Sequence, residues 1–194
     1  MTTDINRIKK ELKDCIGGAD NVVKAQLVDE SNLLHWKGEI RGPVGTPYEG
    51  GTFAIDIVLP SDYPFVPPKM RFDTRIWHPN ISSESGAICL DILKNEWSPA
   101  LTIRTALISL QALMSAPEPD DPQDAVVAKQ YKEDYKKYCA TAKYWTETYA
   151  SAKPSEEQAV KNLMEMGFDA EKCRAALRKF DNDENQALDF LLQG

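Results

Sequence analysis

The sequence has few of the residues that hold zinc in proteins. It contains only two histidines and four cysteines, which are His35, His78, Cys15, Cys89, Cys139 and Cys173. The cysteines lie 74, 50 and 34 residues apart and form no Cys-x-x-Cys pair. This spacing argues against a zinc site. Each cysteine is therefore expected to be either a small buried residue or a reactive thiol.

The sequence also lacks a long hydrophobic run and an excess of basic residues. No apolar stretch approaches the roughly 20 residues that a membrane-spanning helix needs. Residues 1–7 contain no apolar core of a secretory signal. With a net charge of −7, the chain does not have the basic surface that nucleic acid requires. We therefore expect a protein of the cytosol or the nucleus, with no disulfides, that binds neither membranes nor nucleic acid.

Length and composition predict two domains. Hydrophobic residues make up 42% of the 194 residues, which is enough for a packed core. The length leaves room for one domain of about 150 residues and a second, small one. Alanine, serine, lysine and proline cluster at the predicted boundary, so the domains are expected at 1–150 and 155–194, with a linker over 151–154.

Hydrophobic periodicity predicts an α+β first domain. A helix is expected over 4–15, and antiparallel strands over 22–28, 34–40, 52–59 and around Met70 and Phe72. Further helical segments are expected over 102–115 and 124–150, the last as one helix or two. The intervening residues 73–100 contain Pro79, Gly86 and Pro99 yet remain apolar. A long irregular stretch inside a domain is typical of a functional site.

Start signals predict three short helices in the second domain. The start signals are two capping boxes, Ser155-x-x-Gln158 and Asp183-x-x-Gln186, and the capping residue Asp169. Three helices in about 40 residues form a minimal bundle.

The irregular stretch carries an ordered set of motifs. His78-Pro79-Asn80 precedes Cys89, which lies in Gly86-Ala87-Ile88-Cys89-Leu90-Asp91. The surrounding blocks are Arg41-Gly42-Pro43, Tyr63-Pro64-Phe65-Val66-Pro67-Pro68, Trp97-Ser98-Pro99-Ala100-Leu101-Thr102 and Pro119-Asp120-Asp121-Pro122. In this order and spacing the blocks resemble ubiquitin-conjugating enzymes over residues 1–150. The resemblance implies the ubiquitin-conjugating fold: a helix, a four-stranded antiparallel meander and C-terminal helices.

The resemblance also implies a reaction. Cys89 would accept ubiquitin as a thioester from the activating enzyme and pass it to a lysine amine. Thioester exchange needs an accessible thiolate more than a strong base. Asn80 can hydrogen-bond the oxyanion of the tetrahedral intermediate, and by resemblance Asp121 positions the incoming amine. No cofactor is expected in this chain, because the upstream activating enzyme uses the ATP.

Other interpretations of the same residues stay open. Cys89 lies between apolar neighbours, as a core cysteine would, and Asn80 could cap a turn. Asp120 and Asp121 could be ordinary acids before a helix, and Asp91 is expected to be structural. By resemblance, His78 is expected to bond the backbone of the irregular stretch; the alternative is the base of a Cys–His protease.

By resemblance, two surfaces would bind other proteins of the pathway. Arg7 and Lys10 on the first helix would contact the activating enzyme. Pro64 and Phe65, together with Pro99 and Ala100, would contact ubiquitin ligases of the RING or HECT type. An aromatic residue between prolines is more often part of a core, which is the alternative for Phe65.

The second domain contains Met166-Gly167-Phe168 between its first two helices and Leu191-Leu192 near its end. These residues resemble the ubiquitin-associated (UBA) domain, in which they form an apolar patch that binds ubiquitin non-covalently. The alternative is that Met166 and Phe168 fold into the bundle. The pairing of the two domains resembles a subclass of conjugating enzymes, the E2-25K kind, that builds degradative polyubiquitin chains.

Three different functions compete with this one. The chain could be a non-catalytic adaptor that only binds ubiquitin, a Cys–His deubiquitinase, or a conjugating enzyme for another ubiquitin-like modifier. The presence of Cys89 and Asn80 argues against the adaptor, and the UBA-like domain favours ubiquitin as the modifier.

Overall fold

The computed structural model describes residues 4–16, 22–151, 156–180 and 183–193. The chain divides into two compact units, residues 1–151 and 152–194, each with its own hydrophobic core. Of the predicted linker, residues 152–154 lie outside the described residues, as does Ser155 of the first capping box. The α+β fold class is confirmed, since the first unit holds a sheet with helices and the second holds helices alone.

The sheet of the first unit is the predicted antiparallel meander. Helix α1 (Ile5–Ile16) precedes strands β1 (Val23–Leu27), β2 (His35–Arg41), β3 (Thr52–Val58) and β4 (Lys69–Phe72), which pair in chain order. Each strand buries alternate residues, so that Phe53, Ile55 and Ile57 of β3 face the core. The alternation visible in the sequence thus specifies which face of the sheet is covered.

Three helices follow the sheet in the first unit. They are α2 (Ile103–Ser115), α3 (Ala125–Glu133) and α4 (Tyr135–Trp145), and a π-helical turn, Thr146–Ala150, continues α4. The predicted segment 124–150 is divided at Asp134, whose carboxylate accepts a bond from the Lys137 amide at 2.9 Å and caps α4. Helix α2 packs closely on the sheet: a Cβ atom at Gly38 would lie 3.1 Å from Leu107 Cδ2.

A buried carboxylate connects α1 to the chain around the irregular stretch. Glu11 is 4% exposed. It accepts hydrogen bonds from the Tyr63 hydroxyl at 2.8 Å, from Arg7 Nε at 2.8 Å and from the Ile103 amide at 2.9 Å. A buried charge is stable only when it is paired and fully hydrogen-bonded, and these donors meet that need. The Glu11 carboxylate therefore holds three segments together: α1, the Pro-rich segment (residues 63–68) and the start of α2.

The second unit is the predicted three-helix bundle. Its helices are α5 (Glu156–Glu165), α6 (Ala170–Lys179) and α7 (Glu184–Gln193). As predicted, Asp169 caps α6 and Asp183 caps α7, where it accepts from the Gln186 amide at 3.0 Å. Leu163, Cys173 and Leu177 form the centre of the bundle. Among the described residues, no helix is long and apolar enough to cross a membrane.

Candidate active site

The irregular stretch 73–100 is held by main-chain hydrogen bonds outside any regular sheet. It contains isolated bridges and one short 3-10 turn, Asp91–Leu93. The Phe72 amide donates to the Gly86 carbonyl at 2.9 Å. Gly86 has a φ of +73°, and a Cβ atom there would lie 1.9 Å from the Phe72 oxygen. Only glycine fits this position, which directs the chain toward Cys89.

His78 is buried and both of its ring nitrogens are engaged. Nδ1 accepts a hydrogen bond from the Asn80 amide at 3.0 Å, so the proton lies on Nε2, which donates to the Leu113 carbonyl at 3.0 Å. Burial lowers the pKa of His78 to about 4, although the bond to Leu113 acts in the opposite direction. A neutral imidazole with both nitrogens occupied anchors the irregular stretch to α2. It does not contact Cys89 as a base would.

Asn80 links the irregular stretch to the loop before α3. Its side-chain nitrogen donates to the carbonyls of Glu118 and Asp121, both at 2.9 Å, and its side-chain oxygen accepts from the Glu118 amide at 2.8 Å. Both amide hydrogens are therefore in use. To donate a hydrogen bond to an oxyanion, the Asn80 side chain would have to break its bond to the Glu118 or the Asp121 carbonyl. Stabilisation of the oxyanion by Asn80 therefore stays a prediction.

The sulfur of Cys89 is partly exposed and has a polar group on either side. The Cys89 amide donates to the Asn80 carbonyl at 2.9 Å, which fixes the backbone. Sγ lies 3.2 Å from Nζ of Lys94 and 3.7 Å from Oδ2 of Asp121. The core interpretation of Cys89 is thus wrong. A partly exposed thiol beside an ammonium and a carboxylate can act as a nucleophile.

The structure separates the two neighbouring acids of the loop. Asp121 faces the sulfur, whereas the side chain of Asp120 is 95% exposed and pairs with Lys132 at 2.6 Å. Asp91 is exposed at the start of the 3-10 turn, and its main-chain oxygen accepts from the amides of Lys94 and Glu96. This main-chain oxygen shapes the turn that carries Lys94, and the structural role of the Asp91 side chain stays a prediction.

Sequence reasoning missed two residues at this site. Lys94 donates to the Cys89 sulfur, and this contact raises the lysine's pKa. Asp124 caps α3 and accepts bonds from the Ser83 hydroxyl at 2.7 Å and amide at 3.1 Å. Burial acts to raise the pKa of Asp124, but the hydrogen bonds from Ser83 prevail and lower it. An acidic residue directly before a helix is a common helix cap, so the sequence contains a signal for Asp124. No sequence pattern identifies Lys94.

The residues predicted to bind ligases lie beside Arg7. Phe65 is 67% exposed, and Pro99 and Ala100 are exposed, but Pro64 is buried. The exposed surface therefore comes from Phe65, Pro99 and Ala100, while the buried Pro64 lines the cleft beside Phe65. The binding role of all four residues stays a prediction. The Pro64 carbonyl accepts from Trp97 Nε1 at 2.7 Å, which joins the two loops.

The two residues predicted to meet the activating enzyme differ in exposure. Lys10 is exposed. Arg7 is half-buried, donates to the Leu101 carbonyl at 2.7 Å and pairs with Glu11. Arg7 thus lines the same cleft as Phe65 and Pro99. The cleft joins the start of α1 to the two loops.

The predicted ubiquitin-binding patch of the second unit is only partly exposed. Met166 is 59% exposed and Leu192 is 68% exposed. Phe168 and Leu191 pack against the bundle core, and Gly167 makes the turn between α5 and α6 with a φ of +99°. Among these residues the most exposed apolar atoms belong to Met166 and Leu192, and the binding role of the patch stays a prediction.

Comparison with known proteins assigns a family to both units. Residues 7–146 match the family described as ubiquitin-conjugating enzyme, and residues 155–191 match the UBA/TS-N domain. Ubiquitin-conjugating enzyme E2 27 of Arabidopsis thaliana is 58% identical over 188 residues, covering 97% of each chain. Ubiquitin-conjugating enzyme E2 K of Homo sapiens is 50% identical over 194 residues, covering 97% of this chain and 96% of that one.

A solved structure extends the match to the fold. The structure of the E2 domain of a ubiquitin conjugating enzyme from Toxoplasma gondii has a TM-score of 0.71 and 59% identity, covering 75% of this chain and 98% of that one. The fold, the exposed cysteine and these matches together define a transferase of the ubiquitin pathway. The chain belongs to the ubiquitin-conjugating enzyme family and carries a C-terminal UBA domain.

The burial of His78 predicts how stability depends on pH. The unfolded chain takes up a proton near pH 6.5 that the folded chain excludes until about pH 4. The contribution of His78 to the free energy of unfolding should therefore be complete above about pH 6.5. As the pH drops from 6.5 to about 4, the free energy of unfolding should fall by at most about 1.4 kcal/mol per pH unit. Urea unfolding of the native protein and of His78→Gln, at about pH 7 and about pH 5, measures this slope, which should be shallower in the variant.

An NMR titration of the ring gives an independent check on the same group. The neutral form of His78 should persist well below pH 6.5, the ordinary value. A midpoint at the ordinary value would contradict the burial argument.

Proposed function

We propose that Cys89 carries ubiquitin as a thioester and transfers it to lysine amines. The observation that supports this most strongly is the partly exposed sulfur, with an ammonium at 3.2 Å and a carboxylate at 3.7 Å. In the first step the Cys89 thiolate attacks the thioester that the activating enzyme presents. A carbon–sulfur bond forms to Cys89 as the bond to the activating enzyme's sulfur breaks.

Lys94 supports this first step. The thiolate is the nucleophile, and the Lys94 ammonium donates a hydrogen bond to the sulfur that offsets the negative charge of the nearby Asp121 carboxylate. Thioester formation removes the negative charge from the sulfur. The attraction that holds Lys94 is then weaker, which leaves room for an incoming amine.

The second step is more demanding, because lysine amines are protonated at neutral pH and the intermediate carries an oxyanion. Asp121 is placed to attract and orient the acceptor ammonium beside the sulfur. A carboxylate raises the pKa of a nearby ammonium, so loss of water from the cleft must favour the neutral amine. Asp121 therefore acts mainly by position. The amine nitrogen bonds to the carbonyl carbon, the carbon–sulfur bond breaks with its electron pair on the Cys89 sulfur, and the proton lost by the amine passes to solvent water.

The deubiquitinase alternative is disfavoured by His78. A Cys–His hydrolase needs an imidazole in contact with the thiol. Here Nδ1 accepts from Asn80 and Nε2 donates to Leu113, so neither nitrogen is directed at the sulfur.

The thioester is tested by its sensitivity to thiols. The protein, ATP, activating enzyme and ubiquitin should give an adduct that thiols destroy. It should be absent in Cys89→Ala and replaced by a thiol-resistant ester in Cys89→Ser, because an oxygen ester exchanges poorly with thiols. Cys139→Ser alters another partly exposed cysteine and should charge normally. Non-reducing gels measure each adduct, and a normal adduct in Cys89→Ala would place the nucleophile elsewhere.

We also propose where the pathway partners bind. The activating enzyme would contact Lys10 and Arg7, and ligases of the RING or HECT type would contact Pro64, Phe65, Pro99 and Ala100. The cleft that Arg7 shares with Phe65 and Pro99 supports this arrangement. The two partners would then compete for one surface, so that recharging and ligase binding alternate.

We propose that the UBA domain binds ubiquitin non-covalently and that the enzyme builds degradative polyubiquitin chains. The exposed Met166 and Leu192 support an apolar contact. Such a small patch gives weak affinity. Because the UBA domain belongs to the same chain as Cys89, a ubiquitin bound to it has a raised effective concentration at the active site, which compensates for the weak affinity.

Alanine substitutions in the patch separate this role from the transfer reaction. Met166→Ala with Leu192→Ala should leave thioester formation intact but weaken ubiquitin binding by about tenfold and shorten the chains. Val126→Ala removes a similarly exposed apolar side chain, 69% exposed, from the first unit and serves as the control. NMR titration with ubiquitin and gels of the products measure the two effects. Unchanged binding and chain length in the double variant would refute the proposed role.

A further inference from the structure

Residues 80–89 form a short hairpin that carries Cys89 at one end and a turn at the other. The Cys89 amide donates to the Asn80 carbonyl at 2.9 Å, and the Ser82 amide donates to the Ala87 carbonyl at 2.9 Å. An antiparallel bridge joins the two arms between these bonds. Because the arms are bonded to each other along their length, a movement of the turn also moves the cysteine.

The loop that carries Asp121 is bonded to the cysteine end of this hairpin. The Asn80 side chain donates to the Asp121 carbonyl at 2.9 Å. The Pro79 carbonyl, next to it in the chain, accepts from the amides of Gln123 and Asp124, both at 2.9 Å. Supports at one end fix the distance of that end from the loop, but they would leave the turn able to tilt. The direction of the sulfur therefore depends on a further contact near the turn.

The side chain of Asp124 makes this contact. Its Oδ2 atom accepts from the Ser83 hydroxyl at 2.7 Å and from the Ser83 amide at 3.1 Å, while Oδ1 accepts from the Val127 amide at 3.1 Å and caps α3. Asp124 and Ser83 are both half-buried, and bonds to a charged acceptor are stronger than bonds between neutral groups. The carboxylate thus fastens the turn of the hairpin to the start of α3.

We propose that Asp124 is a positioning residue for the transfer of ubiquitin to lysine. Through Ser83 it holds the hairpin so that the Cys89 sulfur faces Asp121. The distance of 3.7 Å between Sγ and Oδ2 then depends on a support at each end of the hairpin, Asn80 at one and Asp124 at the other. Asp124 acts through this geometry and not on the reacting atoms. This inference rests on the proposed thioester chemistry and on the orienting role of Asp121.

Single-turnover discharge of the Cys89 thioester to free lysine tests the proposal. Asp124→Asn retains a good helix cap, but its single acceptor oxygen cannot both cap α3 and accept from the Ser83 amide. Charging by the activating enzyme should be normal, because thioester exchange does not use Asp121. Discharge should slow by about tenfold, because a small misplacement of reacting groups is costly. A native discharge rate in Asp124→Asn would overturn the proposal.

Substitutions at Ser83 examine the same bond from the other side. Ser83→Ala removes the hydroxyl bond and keeps the amide bond, so discharge should slow by about threefold. Ser83→Thr retains the hydroxyl and should restore the native rate. Asp134→Asn is the matched control, because Asp134 caps α4 through the Lys137 amide at 2.9 Å and should leave discharge unchanged. A loss in Asp134→Asn as large as that in Asp124→Asn would contradict the positioning role.

A double variant shows whether Asp124 acts through Asp121. Asp121→Asn should itself slow discharge, and adding Asp124→Asn should slow it further by less than about twofold, whereas independent roles would multiply the two effects. Multiplied effects would therefore refute the inference.

The same measurements distinguish this inference from the proposed function. If no thioester forms on Cys89 in the native protein, both fail. If the thioester forms and Asp121→Asn slows its discharge but Asp124→Asn does not, only the role of Asp124 fails. If Asp121→Asn discharges at the native rate, the orienting role of Asp121 fails and this inference fails with it, while the thioester chemistry stands.

Discussion

The hydrogen bonds of Asn80 fix the distance between the thiol and the acid that faces it. The Asn80 carbonyl accepts from the Cys89 amide, while the side-chain amide holds the carbonyls of Glu118 and Asp121. With the residue 2% exposed, these bonds are shielded from water and are correspondingly strong. The cysteine comes from one segment and the acid from a loop more than thirty positions away, with Asn80 as their common support.

Two other buried polar groups attach this arrangement to the helices. His78 connects the irregular stretch to α2 through the Leu113 carbonyl, and Glu11 connects α1 to Tyr63 and to the start of α2. An irregular segment lacks the ladder of bonds that satisfies a strand, so its polar groups need such partners. The site can therefore be rigid in its backbone while Lys94 and Asp121 remain in contact with solvent at the sulfur.

Features that repeat along the chain could be predicted from the sequence, and contacts between distant residues could not. The alternation through Phe53, Ile55 and Ile57 specified a half-buried strand, and the proline- and glycine-containing stretch marked the site. Nothing in the pattern of α1 distinguishes Glu11 from its exposed charged neighbours, because its burial depends on Tyr63. Lys94 likewise acquires its role only when the 3-10 turn brings it to the sulfur.

Hydrogen exchange in Asn80→Ala, combined with discharge of the Cys89 thioester to free lysine, tests the supporting role of Asn80 most directly. The Glu118 amide donates to the Asn80 side chain, so its exchange should accelerate by at least about tenfold in the variant, with a comparable loss of discharge rate. Both changes follow if the amide holds the loop that carries Asp121. Native protection of the Glu118 amide together with lost discharge would contradict this account, because Asn80 would then act on the intermediate itself and not on the loop.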